Sequence, residues 1–225
     1  MILLTRGKDK GLLDRLRALG IEAAEVALLE QVDLPGLEVL PGRLLQADWV
    51  AVTSKEGAKR LLWAWEKAGR PLLKVAAVGE GTGEVLRQGG LSPAFVPPRA
   101  TAKDLAATFP PAQRVLFVAG DLAGKDLEEG LEARGVAVER VEVYATRERE
   151  LSPEELALLE RAQVVAFFSP SAARAYALKT PRRPKAACIG PSTAEEAGRL
   201  GFLPYEAERP GLEGLYGAIL RALGG

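Results

Sequence analysis

The feature that most constrains this fold is an internal repeat. Residues 185–201, KAACIGPSTAEEAGRLG, are echoed by residues 74–90, KVAAVGEGTGEVLRQGG, at a constant offset of 111, so that Gly79, Thr82 and Gly90 stand where Gly190, Thr193 and Gly201 stand. Each copy has a short apolar run closed by glycine, then apolar residues at helical spacing, such as Ala194, Ala197 and Leu200, and a glycine stop. That pattern predicts strand, turn and helix. The spacing places Ser192 or Thr193 at the helix N-cap, with Thr193 and Glu196 in capping-box register. Unpaired amides at such a helix start, aligned with the positive end of the helix dipole, suit a carboxylate or phosphate. Alternatively Thr193 only caps its helix, as hydroxyl residues ordinarily do; recurrence in two copies favours a site.

The remainder of the chain repeats as well. Residues 48–60 match 163–175, setting Ser54 against Ser169, and the amino-terminal segment matches 114–144 at an offset of 115, with Leu16, Gly20 and Val26 opposite Leu131, Gly135 and Val141. Residues 98–105 match 208–215 at an offset of 110, so two kinds of unit alternate twice. Strands expected at 2–5, 21–29, 48–54, 94–98, 114–120 and 138–144 are interleaved with helices, one of them opened strongly by Ser152-Pro153-Glu154-Glu155. Alternation of this kind predicts an α/β fold of two similar, doubly wound parallel-sheet domains, which bind ligands at the carboxyl ends of their strands. The polar residues expected at those ends are Thr5, Ser54, Thr82, Ser169, Ser171, Ser192 and Thr193, with the turn glycines Gly79 and Gly190. Residues 30–47 carry Pro35-Gly36 and Pro41-Gly42 without a long period and read as a crossing linker, and the charged run 145–151 reads as a second. The expected division is residues 1–32 with 150–225 as one discontinuous domain, 40–142 as the other, and 33–39 and 143–149 as linker strands, with the ligand cleft between the domains.

Composition removes several functions. The 30 basic and 30 acidic side chains cancel, so no net field recruits nucleic acid or an anionic membrane, and an anionic ligand must be held by local donors. Cys188 is the only cysteine and histidine is absent, which excludes disulfides within the chain, imidazole-based metal sites and imidazole as a base. Gly79-Glu80-Gly81-Thr82-Gly83 departs from the dinucleotide fingerprint, because its third glycine is displaced and its twin reads Gly-Pro-Ser-Thr. Gly120 to Asp126 is one residue short of a phosphate loop and ends in Asp where a hydroxyl should meet magnesium. Ser169 and Ser171 have no histidine to activate them, and the basic run 179–185 reads as a solvated loop. The amino terminus is too short for a signal sequence and no apolar run approaches a membrane span, so a cytoplasmic location is expected. The absence of asparagine fits either a thermophile that avoids labile amides or a GC-rich genome.

One ordered set of motifs resembles the uroporphyrinogen-III synthase family over nearly the whole chain: LLTR at 3–6, VEVYAT at 141–146, FFSPSAARA at 167–175 and AACIGPSTAEEAGRLG at 186–201. Glu56 stands near a common asparagine of bacterial relatives, and Ser192 where threonine is usual. The resemblance implies a two-domain α/β lyase of haem and tetrapyrrole biosynthesis whose crossing linkers form a β ladder. It would cyclise hydroxymethylbilane to uroporphyrinogen III, inverting the last pyrrole ring and losing water, without metal or organic cofactor. It would act as a monomer, with transient contact to the preceding pathway enzyme, and with no nucleic-acid or membrane partner. A polycarboxylate substrate suits helix N-termini. The resemblance also points to Tyr144 as the group that assists departing hydroxide, although a tyrosine ending a strand can equally be a half-buried core residue. Arg6 either pairs with a substrate carboxylate or braces the first turn. From another class, a non-catalytic hinge-type binding protein for a small anionic ligand would share the architecture.

Overall fold

The computed structural model describes residues 1–6 and 10–225; the charged continuation expected after the first strand, at 7–9, lies outside them. The chain runs β1 (Ile2–Leu4), α1 (Lys10–Ala18), β2 (Ala23–Glu25), β3 (Leu29–Asp33), α2 (Gly36–Arg43), β4 (Trp49–Val52), α3 (Lys55–Lys67), β5 (Val75–Ala77), α4 (Glu80–Gln88), α5 (Ala102–Thr108), β6 (Arg114–Gly120), α6 (Asp126–Glu132), β7 (Ala137–Glu148), α7 (Pro153–Arg161), β8 (Val164–Phe167), α8 (Pro170–Lys179), β9 (Lys185–Cys188), α9 (Pro191–Arg199), β10 (Leu203–Glu206) and α10 (Gly211–Gly224).

It divides into two units, Met1–Glu30 with Arg147–Gly225, and Gln31–Thr146. The first holds a sheet of order β10-β9-β8-β1-β2, parallel at every junction. The second sheet has the order β3-β7-β6-β4-β5, with β7, β6, β4 and β5 parallel. The sequence repeat survives in these orders, since β9, β8, β1 and β2 are the repeats of β5, β4, β6 and β7. Even the register is shared: Ala187 pairs with Tyr205, and Ala76, its counterpart, bridges to Phe95. The strand expected at 94–98 is reduced to that single bridge. Pro93, Pro97 and Pro98 lack the N–H groups a ladder needs.

Both faces of each sheet are covered, so the central strands are apolar throughout rather than alternating. Val50 and Val52 of β4 pack with Leu61, Trp65 and Leu86, while Trp49 and Ala51 point to Leu105, Phe109 and Phe117. In β8, Val165 and Phe167 join Tyr176 and Phe202, and Val164 and Ala166 join Leu16 and Ile219. The repeated glycines have a backbone cause: Gly20, Gly135, Gly90 and Gly201 have φ of 73°, 79°, 87° and 90°. A residue with a Cβ costs about 1–2 kcal/mol in that region.

Two expected elements differ. In the stretch 30–47, expected as a crossing linker with a strand at 33–39, β3 ends at Asp33, and α2 and a 3-10 turn at 44–46 follow. Pro41 lies inside α2 and costs a free helix about 3 kcal/mol. Leu37, Leu40 and Leu44 are buried along one helical face, at about 1.5–3 kcal/mol each, which outweighs that cost. The expected strand 21–29 is two, because β2 ends at Glu25 and β3 begins at Leu29. The stretch 143–149, expected as a linker strand, is strand as far as Glu148, where β7 ends.

Candidate active site

In the second unit the carboxyl ends of β4 and β5 present Ser54 and Gly79, and Tyr144 lies within β7, paired with Gly120 at the carboxyl end of β6. Ser54 is the N-cap of α3, accepting the Gly57 amide at 2.9 Å. The same oxygen accepts the Tyr144 hydroxyl, also at 2.9 Å. Tyr144 is half-buried, and its ring lies under the Arg60 guanidinium, 4.8 Å from Cζ to the ring centroid. Arg60 is itself pinned, its Nε donating to Asp33 at 2.8 Å and its Nη1 to Glu56 at 2.8 Å. Burial works to raise the Glu56 carboxyl, but the hydrogen bonds from Lys59 and Arg60 outweigh it and hold it below the ordinary carboxylate range. Arg60, Glu56 and Asp33 border an open groove of about 740 Å³ with Leu34, Pro35 and Trp63.

The helix starts at the two repeat units depart from expectation. The N-caps are Gly79 for α4 and Gly190 for α9, and neither start has a side-chain cap. Ser192 and Thr193 are therefore not N-caps. Pro191 suits this start, since proline has its φ preset and no N–H to satisfy at the first helical position, but α4 begins at the equivalent Glu80 without one. Thr82 and Thr193 instead stand third in their helices and are buried, at 6% and 2% exposure. Neither hydroxyl bonds to the described residues. Since no buried side-chain oxygen among those residues lacks a partner, both must keep an opening to water.

The consequence is a division of labour among helix N-termini. Ser54 and Ser169 close α3 and α8, the latter by accepting the Ala172 amide at 3.1 Å. At α4 and α9, as at α2, α6 and α10, the first-turn amides keep no side-chain acceptor; α4 and α9 are the pair of uncapped starts that occupy equivalent places in the repeat, and each can take an anion. The missing side chain of Gly81 also makes room for Lys55, whose Nζ lies 3.7 Å from where a Gly81 Cβ would stand. Lys55 and Arg60 are not among the residues expected from sequence. The repeat between β4–α3 and β8–α8 marks the hydroxyl at Ser54 and not the cations beside it.

In the first unit, Ser169, Ser171, Gly190, Ser192 and Thr193 lie at the carboxyl ends of β8 and β9, beside the end of β1. Thr5 is buried and donates to the Ala166 carbonyl at 2.7 Å, so its proton ties β1 to β8 and is not available to a ligand. Arg6 is exposed, with its guanidinium carbon 5.4 Å from the Phe168 ring centroid. Ser171 accepts from Arg174 at 3.1 Å, and Arg174 also meets Glu196 at 3.2 Å. A Cβ on Gly190 would meet nothing within 4 Å, whereas one on Gly79 would stand 2.7 Å from the Ala100 Cβ. The fold thus requires glycine at 79 and not at 190. Cys188 is buried, and burial pushes its thiol up to about 12, which makes it inert.

The sequence family described as uroporphyrinogen-III synthase HemD matches residues 10–217. The chain belongs to the uroporphyrinogen-III synthase family. A rice protein named uroporphyrinogen-III synthase, chloroplastic, is 35% identical over 97% of this chain and 78% of its own length. The porphyrin biosynthesis protein HemD of Ruminiclostridium josui is 26% identical over the whole chain, which spans 49% of that protein. Among solved structures, uroporphyrinogen-III synthetase from Helicobacter pylori superposes with a TM-score of 0.77 at 19% identity, covering 98% of each chain. A uroporphyrinogen III synthase mutant from Thermus thermophilus gives 0.66 at 20% identity, covering 99% of this chain and 98% of its own. These two share the α/β fold with its two parallel-dominated sheets. Membership of a uroporphyrinogen-III synthase family does not favour the hinge-type binding protein. No described helix is long and apolar enough to cross a membrane.

Proposed function

We propose that the chain performs its family's reaction as a cyclising hydro-lyase, with hydroxymethylbilane as substrate and uroporphyrinogen III as product, and that the uncapped starts of α4 and α9 hold substrate carboxylates. The recurrence of an uncapped start at equivalent places in both copies of the repeat, where α3 and α8 are closed in both copies by Ser54 and Ser169, supports this assignment. A helix start that is left uncapped in both copies of a repeat, beside a buried hydroxyl open to water, is suited to an anion and gains nothing for folding. Lys55 at α4 adds the one compact cation that amides cannot supply.

The substrate's chemistry needs little from the protein. The terminal pyrrole nitrogen pushes out the hydroxyl group, and a proton given to it completes a water molecule. The pyrrole carbon that closes the ring later loses a proton, so the net change is loss of water. Holding the linear chain in one geometry decides which isomer forms. We assign the first proton to the Tyr144 phenol, an assistance of about 10²-fold or somewhat more. In Tyr144→Phe the ring is kept, so kcat and kcat/KM should fall together while product affinity stays nearly intact. A mutant that turned over at the wild-type rate would remove Tyr144 from the mechanism.

A further inference from the structure

Tyr144 is aimed by three features outside its own side chain. The ladder between β6 and β7 shifts register between Ala119 and Gly120: Ala119 pairs with Glu142, but Gly120 pairs with Tyr144, stepping over Val143. An irregularity of this kind re-aims a side chain. It sets the ring against bare backbone, because a Cβ on Gly120 would stand 2.5 Å from the Tyr144 Cζ, 2.7 Å from its hydroxyl oxygen and 2.9 Å from its Cε1. The hydroxyl then meets Ser54, whose oxygen already accepts the Gly57 amide.

We infer that Ser54 and Gly120 are positioning residues for Tyr144: Gly120 supplies the bare backbone on which the ring lies, and Ser54 fixes the phenol oxygen and becomes its donor as the phenol gives up its proton. The inference rests on the proposed role of Tyr144. At rest both lone pairs of Ser54 are occupied, one by the Gly57 amide and one by the phenol, which leaves the serine's own proton uncommitted. When the Tyr144 O–H bond breaks and its proton joins the departing hydroxide as water, a phenolate remains. Rotation about the serine C–O bond turns the serine proton onto that phenolate while the Gly57 amide stays bound. A hydrogen bond to an ionised oxygen is roughly twice as strong as one to a neutral oxygen, so the contact strengthens as charge develops. The proton later lost from the ring-closing carbon restores the phenol, and the serine turns back.

The test uses the full-length protein and exploits the N-cap position, where glycine replaces serine at only a few tenths of a kcal/mol. Ser54→Gly therefore removes the hydroxyl and spares the fold. Its kcat should fall about tenfold with product affinity within about threefold, and Ser54→Thr, which restores a hydroxyl, should recover most of the loss. In a Tyr144→Phe background, Ser54→Gly should lower kcat no further, because nothing is left to position. Gly120→Ala should show the same dependence: a loss of kcat with Tyr144 present and none in the Tyr144→Phe background, although the displaced ring destabilises both. A wild-type kcat for Ser54→Gly, or an equal loss with and without the phenol, would overturn the inference. The two claims fail separately, since a fast Tyr144→Phe sinks the proton-donor role, whereas a slow Tyr144→Phe beside a fast Ser54→Gly sinks only the positioning.

Discussion

Adding one methyl group at Gly190 separates what the fold needs from what the ligand needs. The Gly190 backbone is extended, at φ −168° and ψ −179°, a conformation open to any residue, and its added Cβ would touch nothing within 4 Å. Two opposed effects then set the stability of Gly190→Ala. Restricting the unfolded chain stabilises by about 0.4–1 kcal/mol, and alanine is a poorer N-cap than glycine by roughly the same amount. The net change should lie within about 0.5 kcal/mol, which at this chain length moves Tm by only about 1–2 °C. Binding should respond quite differently. Residue 190 is the N-cap of α9, and a methyl group there that displaced a carboxylate from the first-turn amides would forfeit charge-assisted hydrogen bonding of about 1.5–3 kcal/mol. That corresponds to roughly a tenfold to hundredfold weaker affinity for uroporphyrinogen III. Anaerobic titration calorimetry alongside thermal denaturation measures both quantities. Product affinity within twofold of wild type would refute the assignment of α9, and a large fall in Tm would show that Gly190 is structural after all. Gly79→Ala is the built-in contrast, destabilising through its contact with Ala100.

Thr193→Ala removes a buried methyl and an unpartnered hydroxyl but no cap, so it should lose about 0.8 kcal/mol of stability and bind product roughly fivefold more weakly; unchanged affinity would leave Thr193 a core residue. Asp48 accepts the Gln113 and Arg114 amides at 2.7 Å each; burial pushes its carboxyl up, but the amides prevail and hold it below the ordinary range. With the folded value depressed, its contribution is present above the unfolded value of about 3.9 and lost as pH falls through the folded one, so Asp48→Asn should flatten the acid limb of the denaturation profile below about pH 4. Parallel limbs would count against it. Buried Cys188 should ignore an aromatic disulfide reagent at about pH 8 until the chain is unfolded, and rapid reaction of the native protein would contradict its burial.

What could be read from the sequence followed the repeat. Each offset that aligned glycines also aligned strands, because parallel sheets built from like units keep like neighbours, and the left-handed turns at Gly20, Gly90, Gly135 and Gly201 permit little else. Pro41 hid α2, since a local breaker signal outranked the leucine spacing that tertiary packing rewards. The cap at Gly190 is legible in Pro191, by the same proline rule that locates α7 at Pro153, whereas the Ser192 and Thr193 hydroxyls favour a cap two or three residues later. The Tyr144–Ser54 contact was not legible. The two lie 90 residues apart, and their meeting depends on β4, β6 and β7 being neighbours and on a register shift that leaves no compositional trace.

Whether this chain directs ring inversion is read from the isomer composition of its product. Hydroxymethylbilane generated in situ closes spontaneously without inversion, so the four-ring product formed with and without the protein can be oxidised and separated by chromatography. With no histidine and one inert thiol, the chain has no donor set for an ordinary transition-metal site, so the assay should be run after chelation and dialysis. The protein should then convert hydroxymethylbilane almost wholly to uroporphyrinogen III. The uninverted isomer as the main product at saturating protein, or a requirement for added metal, would contradict that expectation.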